Sequence, residues 1–392
     1  MNASGGVGER LREQIHREGP IPFDRFMAAA LYDEAGGFFS QGHGPGRAGR
    51  DFVTSPETGS LFGFLMARAL DRWWERLEQP DPFVVIDAGA GTGRLAADVL
   101  RATPACAPAL RYVLVEASAR LREEQRERLP IEPADRVLGP AAPGDVGDAP
   151  MAVTGVGPIV TSIDELPAGI EHGVLIANEL LDNLPVRVVE WTGTRWDEIR
   201  VGSEDEIFVE IAVPAPAELA TAAETVRAGV TVAAGARLPV PTGTAGWVAD
   251  VAAMLHRGAL VVIDYAADAA GLVARGPHNW LRTYRAHERG GAPLVQPGEQ
   301  DVTCDVPIEH LLTVADRSGF GLEEHTNQRE WLQALGVDAI ADAAAAATRA
   351  EPARTDLAAL VARSHVSEAA ALTDPDGLGA HHVFEFTKGV RR

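Results

Sequence analysis

Residues 84–95 read VVIDAGAGTGRL. An apolar run, Phe83–Ile86, ends in Asp87 and passes straight into glycines at 89, 91 and 93. Short, continuous and β-branched, the run has the character of a strand covered on both faces. Glycine reaches backbone conformations closed to other residues and lets a main chain come close to a ligand. The segment RLAADVLRA (94–102) that follows has helical periodicity. A strand, a glycine turn and a helix in this order commit the chain to an α/β sheet. In such sheets ligands sit beyond the carboxyl ends of the strands.

The remaining segments fit that commitment. RYVLVEAS (111–118), GPIVTSI (157–163), HGVLIANEL (172–180), GALVVIDYA (258–266), GLEEHTNQ (321–328) and HHVFEFTKG (381–389) read as strands, with helices over 119–129 and 308–320. Such alternation predicts a mainly parallel, Rossmann-like sheet with helices on both faces. Residues 1–80 read as an N-terminal helical extension whose glycine-rich stretch, 33–57, is a loop. Residues 81–392 form the main domain. Two stretches interrupt its rhythm: successive hairpin strands over 186–213 followed by mostly Ala-rich helix with a Pro/Gly interruption to 257, and a second Ala-rich helical stretch over 330–373.

Composition removes several function classes. The formal net charge is −21, whereas a nucleic-acid binder needs a basic face. No apolar run is long enough to span a bilayer, and MNASGGVGER lacks the apolar core of a secretory signal. Cys106 and Cys304 stand far apart and outside any CxxC spacing, so neither a disulfide framework nor a metal site is expected. Abundant Ala, Gly and Arg suit a bacterial chain, and the cytoplasm is the expected compartment.

Two nucleotide classes compete for the glycine turn. A dinucleotide site wants GxGxxG or GxGxxA, which Gly91, Gly93 and Ala96 meet loosely. An S-adenosylmethionine site wants an acid followed by GxGxG, and Asp87, Gly89, Ala90, Gly91 and Gly93 meet it in full. A carboxylate at 87 would repel a pyrophosphate. Glu116, ending the second strand, is placed to accept hydrogen bonds from ribose hydroxyls. No GKS or GKT follows, so a P-loop is excluded. In IANELLDNLPV (176–186) a fourth strand, beside the first in a sheet of this order, runs into Asn178, Glu179 and Asp182. If a helix begins at 179, Asn178 caps it, Pro185 ends it, and the two acids share a face.

The stretches IPFDRFMAAALYDEAGGFFS, GRAGRDFVTSPE with LFG, VVIDAGAGTGRLAADVL, LVEASARLREEQRERL, ANELLDNLPV, VVIDYA, LRTYRAHE and QPGEQDVTCDV run in one order over residues 20–335. In them the chain resembles the MidA family of methyltransferases, relatives of a mitochondrial assembly factor for respiratory complex I. The resemblance implies a class I seven-strand methyltransferase fold and S-adenosyl-L-methionine as cofactor. It also implies that the loop carrying Thr54, Pro56 and Glu57 comes over that cofactor, and that Asn178, Glu179, Asp182 and Pro185 belong to the site. The chain departs from the family pattern at Arg50, where glycine is usual before Asp51, and in having DAGAGTG for a turn of the glutamate and GPGRG type.

The mitochondrial relative methylates an arginine of a complex I subunit, so an arginine-bearing protein, such as a complex I subunit, is the implied partner. A guanidinium is delocalised and charged. Glu179 and Asp182, with Asn178 beside them and Glu57 from the loop, are the candidates to hold that charge and orient the attacking nitrogen. Two other readings stay open: a small-molecule methyltransferase, and a cofactor-binding assembly factor without turnover. His278, Tyr284, Arg285 and His287 are candidates for gating or for packing.

Overall fold

A computed structural model describes residues 6–44, 54–142, 156–285, 288–351 and 353–390. Seven strands form the main sheet, numbered here in chain order: β1 (Phe83–Ala88), β2 (Leu110–Val115), β3 (Ile159–Ile163), β4 (Ile170–Asn178), β5 (Leu255–Asp264), β6 (Gly321–Asn327) and β7 (His382–Lys388). Their spatial order is β6-β7-β5-β4-β1-β2-β3. β4 lies beside β1, as the reading of 176–186 required. The five strands from β3 to β5 are parallel, and β7 runs antiparallel to both β5 and β6.

Alternate side chains of each strand enter opposite cores. Val85, Tyr112, Leu114 and Ile176 pack with helices Leu61–Arg76 and Arg94–Arg101. Val84, Ile86, Val113 and Leu175 pack with helices Thr242–Met254 and Ile308–Arg317. A strand buried on both faces loses water everywhere, which explains the unbroken apolar runs read from the sequence.

A second sheet stands apart from the first. Its strands are Ile21–Pro22, Arg187–Trp191, Trp196–Glu204, Ile207–Pro214 and Arg237–Val240. Helices Val7–Glu18 and Phe23–Tyr32 bury Leu11, Ile15, Phe26 and Met27 against Val188, Trp196 and Val201 of that sheet. The beginning of the chain therefore shares a core with the hairpins inserted after β4, while Leu61–Arg76 packs on the main sheet. The region expected to be mostly Ala-rich helix with a Pro/Gly interruption contains two helices, Ala217–Arg227 and Thr242–Met254, and the interruption between them holds the strand Arg237–Val240. That strand pairs with Arg187–Trp191, a long-range partner that local periodicity does not announce. The second Ala-rich stretch is helical as read, over Gln328–Ala334, Val337–Ala350 and Leu357–Leu372.

Gly173 on β4 has no room for a side chain. A Cβ there would stand 2.3 Å from the Val84 carbonyl oxygen of β1. Gly173→Ala should force β1 and β4 apart and lower stability by about 1–3 kcal/mol, the usual range for overpacking. A thermal melt followed by circular dichroism checks this; an unchanged midpoint would contradict it.

Candidate functional site

The carboxyl ends of β1 to β4 open into one cavity of about 750 Å³. Its size is that of a small-molecule site. Residues 88–92 of the glycine turn line one side, Val115–Ala117 follow from β2, and 164–168 from the end of β3. Asn178, Glu179 and Leu180 come from the end of β4. Trp247, Asp250, Ala253 and Met254 of helix Thr242–Met254 contribute a further wall. Thr54, Pro56 and Glu57, in and beside a single 3-10 turn at Ser55–Glu57, also line it, with Tyr32 and Phe39. The rest of the expected covering loop, including Arg50 and Asp51, lies outside the described residues, as does His287.

The glycine turn has the backbone its sequence calls for. Gly89, Gly91 and Gly93 have φ of 70°, 53° and 74°, the left-handed region where a side chain is strained. Gly89 and Gly91 line the cavity; Gly93 does not. It precedes helix Arg94–Arg101 and faces Leu129 and Gln125.

Two acids follow from β1 and β2. Asp87 is buried and accepts a hydrogen bond from the Tyr112 hydroxyl at 3.2 Å. Burial pushes its pKa up to about 7, against the lowering effect of that bond. Tyr112 is the partner that a charge at the end of this strand needs, and it stands on the neighbouring strand in register with Val85. Glu116 accepts the Gly91 N–H at 2.9 Å and the Ser118 N–H at 2.8 Å, one on each carboxylate oxygen. Each oxygen keeps a second lone pair. Burial raises its pKa while the two backbone donors lower it.

At the end of β4 the structure departs from the expected helix. Only a 3-10 turn forms, Leu181–Asn183, and Asn178 remains the last residue of the strand. The donor-rich start of that turn is held by Asp264, which ends β5: its Oδ2 accepts the N–H groups of Leu180, Leu181 and Asp182 at 3.2, 2.8 and 3.3 Å. Asn178 is therefore no cap. It donates from Nδ2 to Glu179 Oε1 at 3.3 Å, where the Ser55 N–H also donates at 3.3 Å. Glu179 adopts φ 51°, a costly conformation for a non-glycine residue. Loss of water, then the nearby Asp182 charge, pushes its pKa up to about 8.

Asp182 does not share that exposure to the cavity. It is buried outside the lining, and its pKa stands at about 7, raised by burial and by Asp305 and lowered by Arg282. Arg282 and Arg275 both pair with Asp305, at 2.7 and 2.8 Å. Of the candidates, Asp87, Gly89, Ala90, Gly91, Glu116, Thr54, Pro56, Glu57, Asn178 and Glu179 meet around one cavity; Gly93 and Asp182 support it from behind. His278, Tyr284 and Arg285 do not line it.

Sequence reasoning passed over Tyr112, Asp264, Arg94, the 164–168 segment and the face of Trp247 and Asp250. One signal was present: VVID occurs at 84–87 and again at 261–264, so an acid ends an apolar strand twice.

The chain can be compared with known proteins on this geometry. Residues 65–326 match the family described as "Putative S-adenosyl-L-methionine-dependent methyltransferase". The mitochondrial protein arginine methyltransferase NDUFAF7 homolog of Drosophila melanogaster is 25% identical over 333 residues, covering 80% of this chain and 71% of that protein. The Homo sapiens NDUFAF7 is 26% identical, covering 84% and 73%. A COG1565 superfamily member from Burkholderia thailandensis, crystallised bound to S-adenosyl-homocysteine, superposes with a TM-score of 0.78 at 28% identity, covering 98% of this chain and 92% of that one. The family match takes in the glycine turn, both strand-end acids and the β4 turn, and the chain belongs to this S-adenosyl-L-methionine-dependent methyltransferase family.

Proposed function

We propose that this methyltransferase acts on an arginine side chain of a protein partner, and that Glu179 is the group that makes an arginine acceptable. The observation that carries the reading is a carboxyl at the end of β4, facing the cavity, with its pKa pushed up to about 8. Relatives named as protein arginine methyltransferases support it. A partner like a complex I subunit is the particular case that the family resemblance suggests, and the cytoplasm is the proposed compartment.

The residues present fit the cofactor. Left-handed glycines at 89 and 91 leave bare main chain against the cavity, and Glu116 retains acceptor capacity toward ribose hydroxyls. Thr54 and Pro56 close the same space from the other side. When bound, the cofactor supplies an electrophilic methyl group on a sulfonium. Everything else falls to the chain.

Among the described residues seven carboxyl side chains line the cavity, Glu57, Asp87, Glu116, Asp164, Glu165, Glu179 and Asp250, against one cation, Arg94. Such a lining favours cationic ligands. A guanidinium that gains a methyl group keeps one positive charge and must release one proton. In its ionised form Glu179 accepts N–H hydrogen bonds from the guanidinium, fixes the attacking nitrogen and takes that proton. Asn178 and the Ser55 N–H hold its Oε1 in place. Asp182 acts through Glu179: a like charge nearby raises the pKa of its neighbour. Glu57, from the 3-10 turn, is a further acid at the same cavity.

The direct test uses radiolabelled methyl donor and a lysate of the host. Label in a protein band that hydrolyses to methylarginine is the expected result; label confined to small molecules would contradict an arginine acceptor. Glu179→Gln should retain cofactor affinity in calorimetry and lose transfer by about 10²–10⁴-fold, the range for a general base. Undiminished turnover would remove Glu179 from the mechanism. In the free enzyme kcat/KM should rise with pH through about 8 as Glu179 ionises. Asp182→Asn removes a like charge, lowers the Glu179 pKa and should move that rise to lower pH. An unmoved profile would dissociate the two acids.

A further inference from the structure

The acid-rich lining that suits a sulfonium and a guanidinium is wrong for one group of the cofactor. The methionyl arm of S-adenosyl-L-methionine ends in a carboxylate, and among the described lining residues only Arg94 carries a positive charge. We propose that Arg94 binds this carboxylate and so makes the site selective for an adenosyl thioether that bears an intact amino acid. The inference rests on the cofactor reading above but not on the identity of the acceptor.

The side chain is built for that task. Arg94 Nε donates to Asp98 Oδ2 at 2.7 Å, which fixes the plane of the guanidinium. Its terminal nitrogens make no hydrogen bond among the described residues. The two of them present a fork of the width that a carboxylate accepts in two parallel bonds. Asp98 does not cancel the charge, because it also pairs with Arg101 on its other oxygen. One carboxylate is shared by two guanidinium groups, and the charges of Glu57 and Glu368 also act on Arg94. The Asp98 side chain is 1% exposed and the Arg94 side chain 35%, so the anchor is shielded while the fork reaches the cavity.

Position agrees with chemistry. Arg94 directly follows the glycine turn, and Thr92 and Leu95 on either side of it also line the cavity. Glu57, across from it on the 3-10 turn, is near enough for its charge to act on Arg94. A carboxylate and an ammonium on one carbon can therefore meet a guanidinium and an acid at the same end of the cavity. The ribose acceptor Glu116 stands at the end of a different strand.

Calorimetry with two ligands tests this. One is S-adenosylhomocysteine; the other is its decarboxylated analogue, the same thioether ending in a primary amine. The wild type should prefer the first by roughly 10–100-fold, the usual worth of a charged hydrogen-bonded contact. Arg94→Gln should bring the two affinities to parity while leaving the analogue bound as in the wild type. Arg94→Lys should keep part of the preference. Arg101→Gln, which leaves the fork in place but frees Asp98 to neutralise more of its charge, should lower the preference less than Arg94→Gln does. A wild-type ratio in Arg94→Gln, or equal weakening of both ligands, would overturn the proposal. If the wild type bound neither ligand, the cofactor reading itself would fall, which is a different result.

Discussion

Carboxyl groups stripped of water along one edge of a parallel sheet are the constraint from which the rest of this structure follows. Asp87, Glu116, Asp182 and Asp264 are at most 8% exposed, and Glu179 lines the cavity. A buried carboxylate is costly unless it is hydrogen-bonded or neutralised. Each of these acids therefore recruits what lies nearest: Asp87 the Tyr112 hydroxyl, Glu116 two backbone amides, Asp264 three. Apart from the Tyr112 hydroxyl and the Ser118 amide, the recruited partners lie in the backbone turns after β1 and β4. The acids thus shape the turns, and the turns shape the cavity. What remains unneutralised is a surplus of negative charge with raised pKa values, which a cationic ligand would relieve. This is preorganisation in the electrostatic sense, with the cost of assembling the charges met during folding.

The lining turn at 55–57 is tied to a distant part of the chain. The Ser55 hydroxyl donates to Gln328 Oε1 at 2.8 Å, and Gln328 donates onward to the Leu372 carbonyl. Glu368, on helix Leu357–Leu372, accepts the Leu61 N–H at 2.8 Å, four residues beyond the turn. The Ala-rich helices late in the chain therefore brace the segment that faces the cavity. On the opposite side the Tyr32 hydroxyl donates to the Asn183 carbonyl, tying the N-terminal helices and their shared core with the second sheet to the β4 turn. The late helices and the N-terminal helices brace the site through a few hydrogen bonds, while helix Thr242–Met254 of the first insertion supplies one wall of it.

Much of this was legible in the sequence because it is local. Apolar runs, the alternate glycines and the acids at strand ends are features of neighbouring residues, and they end where the cavity opens. The errors fall where a distant residue decides. Nothing in ANELLDNLPV shows that Asp264, some eighty positions on, captures three amides and holds the segment to a single turn. Nothing in RLPV (237–240) shows its pairing with 187–190. Asp182 looked equivalent to Glu179 by helical spacing; a left-handed Glu179 and a 3-10 turn point the two acids to different surroundings. Tyr112 reads as an ordinary core aromatic until strand register brings it to Asp87.

The central claim is that an adenosyl donor lies against bare main chain at the end of β1 with its sugar held by the end of β2. A crystal of the protein grown with S-adenosylhomocysteine tests it most directly. The account predicts ribose hydroxyls within hydrogen-bond distance of the Glu116 carboxylate and the thioether beside Gly89 and Gly91. Density for the ligand elsewhere, or a Glu116 that turns away from it, would contradict the account.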